Sequence, residues 1–189
     1  MDYKSYSYPE FGAVAEVSTF KPQNGIAEHN IMLHTSKHEM SFREQLESLH
    51  KALAVMEDTL WENRARAVMK RYFLSDASNQ TAMVEEMLSN FSPCAVSIVQ
   101  QPPLDGTKVA LWVYLQEGIP VPQRNGNGTF SYKHNDITHY WTAYRHTSGG
   151  NSEQQTRYLL EGYEEDLISH KCNIADNCVR TWFFVRDVD

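Results

Sequence analysis

His34-Thr35-Ser36, Ser41-Phe42-Arg43-Glu44 and Tyr72-Phe73-Leu74-Ser75-Asp76 follow one another in the first part of the chain. They return in the second as His146-Thr147-Ser148, Ser152-Glu153-Gln154-Gln155 and Phe183-Phe184-Val185-Arg186-Asp187. The displacement is about 111 residues, far longer than a solenoid repeat and close to the size of a small independent fold, so the string predicts a duplicated domain. Residues 78–116 have no counterpart in the second pass. The expectation is therefore one whole unit at 1–117, a linker at 118–127, and a partial second unit of hairpin, helix and strand at 128–189.

Working outward, residues 12–20 and 27–36 are rich in Val, Ile, Met and Thr and are separated by Lys21-Pro22-Gln23-Asn24-Gly25, a turn signal, which predicts a β-hairpin. Ser41 with Glu44 three residues later is a capping box, in which each side chain satisfies a backbone N–H left bare at a helix start. Phe42, Leu46, Leu49, Leu53, Met56 and Leu60 then step by three and four, so the helix they predict has one apolar face, and that face needs a sheet. Residues 65–75, 93–101 and 107–116 predict three further strands, and Met83, Met87 and Leu88 a helix over 79–90. The first unit then reads ββαβαββ. The second is expected to place its hairpin at 129–133 and 137–146, its helix at 152–171 and a third strand at 178–188.

A helix between neighbouring strands is a crossover, so the class is α+β with a mixed sheet and both helices of the complete unit on one face. Val109, Leu111 and Val113 alternate with Ala110, Trp112 and Tyr114, which predicts burial on both faces of the sheet, by self-association or by packing of one copy on the other.

A net charge of −7 over 189 residues, with no basic stripe, argues against nucleic acid as a partner. The start, Met1-Asp2-Tyr3-Lys4, shows no secretory signal and no run approaches membrane-spanning length, so a cytoplasmic protein without a membrane partner is expected. Three cysteines, Cys94, Cys172 and Cys178, match no disulfide or zinc framework and read as reduced thiols. Lys133, His134, Asp136, His139 and His146 have no matched ligand spacing, so neither a metal nor another cofactor is expected.

Thr147-Ser148-Gly149, the glutamine-bearing helix after it, and Cys178-Val179-Arg180-Thr181-Trp182-Phe183-Phe184-Val185-Arg186-Asp187 resemble the Thr-Ser-Gly turn and the Val-Lys-Thr-x-Val-Phe-Val-x-Asp strand of the YjgF/RidA family, also called L-PSP. The first copy resembles it more loosely, through Thr35-Ser36, Met69-Lys70, Leu74-Ser75-Asp76 and Ser92-Pro93-Cys94-Ala95, where the family has Pro-Ala-Arg-Ser. The two-copy arrangement is similar to that of chorismatases. The resemblance implies a YjgF/chorismate-mutase-like sheet with two helices on one face, assembly as a trimer or pseudo-trimer, and clefts between units that take small organic acids.

The family's imine deaminases grip the substrate carboxylate with the arginine of the Pro-Ala-Arg-Ser segment and move a proton with a glutamate on the last strand. Here Cys94 stands at the arginine position, Ala110 and Trp112 fall where glutamates would, and no arginine occurs between Arg71 and Arg124. A carboxylate-binding deaminase pocket built wholly from the first copy is therefore not expected. The reading is of a pseudoenzyme module, the N-terminal part of a tandem chorismatase-like protein that binds a small organic acid or scaffolds assembly, with no catalytic residue assigned. An active small-acid hydrolase or enamine/imine deaminase is the alternative, and an L-PSP-type endoribonuclease the third reading. Arg145, Ser148, Arg180 and Arg186 are the candidate ligand-binding residues, because a guanidinium fork meets both oxygens of a carboxylate at once. Cys94 itself reads as a small core residue, and the paired His34 and His146 as turn positions before a helix.

Overall fold

In the computed structural model, which describes residues 1–23, 25–62, 64–126, 128–143 and 145–185, the expected elements of the first unit all form, and one strand precedes them. That strand, β1 (Asp2–Tyr8), pairs antiparallel with β2 (Ala13–Phe20), and β2 pairs with β3 (Glu28–Thr35) as the hairpin foreseen. Helix α1 (Phe42–Trp61) follows, then β4 (Ala65–Leu74), α2 (Ala77–Leu88), β5 (Ala95–Gln100) and β6 (Val109–Glu117). The six strands make one sheet in the order β1-β2-β3-β6-β4-β5. Only β4 and β5, joined across α2, run parallel among its described pairings, so the sheet is mixed and the class is α+β.

The capping box forms: Glu44 N donates to Ser41 Oγ at 3.3 Å, and Ser41 N donates to Glu44 Oε2 at 2.8 Å. Gln45, buried at the same helix start, sends its amide to the carbonyls of Lys37 and Met40 at 3.3 Å each and accepts the backbone N–H of Lys108 at 2.8 Å. This one side chain ties the helix to the start of the last strand. Leu46, Leu49, Leu53 and Met56 then pack, fully buried, against Val109, Leu111, Val113 and Leu115 of β6 and Ile31 and Leu33 of β3. Burial of each such side chain contributes roughly 1.5–3 kcal/mol.

Strand β4 carries a bulge between Ala67 and Met69. An extra residue in one strand resets the alternation of faces. Ala65 and Ala67 point to the helices, Val68 and Met69 to the opposite side, and then Tyr72 and Leu74 return to the helix side. Lys70 therefore goes under the helices and Arg71 to the open face.

The open face is partly covered within the same unit. Strands β7 (Gln123–Arg124), β8 (Thr129–His134) and β9 (Ile137–Thr142) form a small second sheet, and its Phe130, Tyr132 and Trp141, with Ala143, pack on Val68, Met69, Ala95, Trp112 and Tyr114. Gly128 closes this hairpin at φ +72°, where a Cβ would sit 2.5 Å from the Ala143 carbonyl oxygen. The burial expected on both faces thus has a local source, and the segment expected as a linker contributes a paired strand.

The chain divides into compact units at Met1–Tyr144 and Arg145–Asp189, so the hairpin belongs with the first unit and not with the second. In the second unit α3 (Ser152–Ser169) forms as expected and is followed by the single turn α4 (Ile174–Asn177). The third strand expected at 178–188 does not form over 178–185, the part of it among the described residues. In the first unit the matching strand, β4, lies between β6 and β5, and a strand without such neighbours has nowhere to place its backbone hydrogen bonds.

Candidate functional site

Residues opposite one another on paired strands point to the same face. Across the middle of the sheet the open face therefore presents Met32 of β3, Trp112 of β6, Arg71 of β4 and Ser97 of β5 as one row. The row toward the hairpin is Asn30, Tyr114, Met69 and Ala95, and the row on the other side begins His34, Ala110, Phe73. Aromatic and neutral polar groups surround one guanidinium.

Arg71 is 5% exposed. Its Nε donates to Ser97 Oγ at 3.4 Å and its Cζ lies 5.0 Å from the centre of the Trp112 ring. Trp112 in turn donates from Nε1 to Asn30 Oδ1 at 3.2 Å and stacks on Tyr114 at 6.5 Å, so the indole is fixed from both ends. Burial lowers the Arg71 pKa, yet a guanidinium holds its proton at any physiological pH. A desolvated cation on an aromatic plate favours an anionic, planar partner.

At the far row His34 Nδ1 sits 4.0 Å from Asp105 Oδ2, and His34 Nε2 is buried without a hydrogen-bond partner. Burial pulls the Asp105 carboxyl up, but its two hydrogen bonds from Thr107, with His34 and His38 nearby, outweigh that and hold it below the usual carboxylate range. The geometry is that of an imidazole with one nitrogen beside a carboxylate and the other unused.

The position read as that of the lost arginine, Cys94, lies in the core on the helix side, 4% exposed, with burial pushing its thiol up. Ala95 and Ser97 are what β5 shows to the open face, and the guanidinium is supplied by the neighbouring strand at Arg71. Nothing in the residues of β5 points to it. The bulge conceals Arg71 from sequence, because strict alternation from Ala65 sends residue 71 to the helices.

The residues chosen in the second unit do not gather into a site of this kind. Arg145 is ion-paired with Asp166 and lies 5.7 Å from the ring centre of Tyr163; burial lowers its pKa and Tyr163 opposes that. Its charge is already answered. Ser148 is exposed, Arg180 rests on Trp182 at 5.6 Å, and Arg186 lies outside the described residues. Of the polar cluster around the hairpin, Lys133 pairs with Asp136 at 3.2 Å and His139 stacks on Tyr132 at 4.7 Å. Among the described residues no group of three or more His, Cys, Asp or Glu is arranged to hold a metal ion, and no helix is long and apolar enough to cross a membrane.

In comparisons with protein families, with curated proteins and with solved structures, nothing matches this chain.

Proposed function

We propose that the chain is a YjgF/RidA-type module of the tandem, chorismatase-like kind, which holds a small organic acid on the open face of its first sheet and is not an imine deaminase. The observation that carries the reading is Arg71, nearly buried, set by Ser97 and backed by Trp112. Its fork and the indole plane suit a carboxylate on a flat, unsaturated carbon skeleton. The mixed six-stranded sheet with α1 and α2 on one face supports the family assignment.

The tandem assignment draws support from the helix starts. Asn151 and Gln154 repeat the capping box of Ser41 and Glu44, and Gln155 donates to the Gly150 carbonyl as Gln45 does to that of Met40. Deamination is set aside because β6 turns Ala110, Trp112 and Tyr114 to the open face, and its one glutamate, Glu117 at the strand's end, is paired with His29 at 2.9 Å, so none stands beside Arg71 to move a proton and activate water.

The test is titration of the chain with 2-oxobutanoate and with benzoate, followed at the Trp112 indole signal beside Arg71, together with an assay for hydrolysis of a 2-imino acid. Saturable binding lost in Arg71→Met, with no hydrolysis, is the expected result. Hydrolysis that disappears with Arg71→Met makes the module an enzyme instead, and binding unaffected by that substitution removes the site. Self-association as a trimer or pseudo-trimer belongs to the same proposal, and sedimentation equilibrium measures it directly.

A further inference from the structure

The bulge in β4 sends a second cation to the other side of the sheet. Lys70 is 2% exposed, under the helix layer, and its Nζ stands 4.0 Å from the centre of the Phe91 ring. Among the described residues it has no carboxylate at ion-pair distance and no hydrogen-bond acceptor. A buried ammonium in that state is costly, and an aromatic face offsets only part of the cost. His50, hydrogen-bonded to the Tyr72 hydroxyl at 2.9 Å, is pushed down to about 3, by burial first and by Lys70 second, and so is neutral. Burial pushes the Tyr72 phenol, the Cys94 thiol and the Glu57 carboxyl up, with Lys70 opposing the shift at Cys94 and at Glu57.

Beside this ammonium lies a groove of about 480 Å³ between α1 and the end of α2, with His50, Met87 and Phe91 among its lining residues. His50 and Phe91 meet edge to face at 4.7 Å, and Phe91 is the residue against which Lys70 rests. At the rim, the exposed Arg43 and Lys51 are each matched by a glutamate at 3.7 Å, whereas Lys70 has no carboxylate that close among the described residues.

We infer that this groove is a second anion site, in which a monocarboxylate with a small apolar tail displaces the Phe91 ring and pairs with Lys70. One positive charge calls for one negative charge, and the walls of Phe91 and Met87 suit an apolar tail better than a phosphate dianion. Because Lys70 and Arg71 face opposite sides of one sheet, the site stands independently of the one proposed above.

Benzoate titrated into the isotopically labelled full chain tests it. The expected result is a saturable shift of the His50 and Phe91 ring signals in the unaltered protein and in Arg71→Met alike. Binding should weaken by about tenfold or more in Lys70→Met. Lys70→Met replaces an unpaired buried charge by an apolar chain of similar shape, so folding is expected to survive; circular dichroism checks that. Shifts confined to Trp112 and Asn30, or shifts at His50 and Phe91 that Lys70→Met leaves at full strength, overturn the inference whatever the outcome at Arg71. So does an absence of shifts at His50 and Phe91 in the unaltered protein.

Discussion

Helices α1 and α3 begin alike and end differently. Each has a polar N-cap, a returning side chain at the third helical position and a glutamine next to it whose amide binds a carbonyl five residues back. Beyond that shared start, α1 buries nine residues, whereas α3 buries only Leu167. Gln45 also receives the N–H of Lys108 at the start of β6, and the bond anchors α1 to the sheet that covers its apolar face. A cap is made by residues within a few positions of one another, so it forms wherever its sequence occurs; an apolar face is stabilised only by what lies across from it.

The hardest test of this contrast is truncation. Leu53→Ala, at a fully buried position of α1, should cost about 2–5 kcal/mol in urea unfolding of the full chain, and Leu160→Ala on half-buried α3 less than about 1 kcal/mol. Equal losses would mean that α3 is as well packed as α1.

Acid should come next in size. His50 is neutral in the folded chain and takes up a proton on unfolding once the pH falls below its ordinary value of 6.5, so the unfolded state binds more protons between that value and about 3. Stability should therefore decline as pH drops through this window, His50 contributing at most about 1.4 kcal/mol per unit, and His29 and His139, which burial also pushes down, adding to it. His50→Phe should flatten the decline. No histidine lies within α3, so of the two helices only α1 contributes to it.

Gln45→Leu strands the Lys108 N–H and two carbonyls, for a loss of roughly 1–3 kcal/mol, whereas Gln155→Leu, at a half-buried position where water reaches the Gly149 and Gly150 carbonyls, should cost less than about 1 kcal/mol. Most alike should be the caps. Ser41→Ala and Asn151→Ala are each expected to cost about 1 kcal/mol of local helix stability, readable by amide exchange of the first turn. A cap effect confined to α1 would undo the parallel between the two helices.

Much of the first unit was legible in sequence, for reasons that differ by element. The apolar spacing from Phe42 to Leu60 and the Ser41/Glu44 pair are local signals, and the helix stands where they place it. Strand β1 has no such local signal, because Tyr, Ser and Lys at residues 3–8 offer little apolar alternation; it forms because the edge of β2 is there to pair with. At 178–185 the apolar, β-branched composition was read as a strand, and composition alone could not supply neighbours for it. The site was hidden for a related reason. One extra residue at the Ala67/Met69 bulge exchanges the faces of Lys70 and Arg71, and nothing in the string Ala-Val-Met-Lys-Arg announces it.

The sequence by itself determined where the helices of this protein start, which of their faces are apolar, and that its strands and helices belong to a mixed α+β unit, since those properties rest on periodicities of a few residues. Only the tertiary structure decided which strands become neighbours, which cation lies under the helices and which on the open face. Those outcomes depend on register between segments far apart in the chain, and a shift of one residue in a strand moves every side chain beyond it to the opposite side.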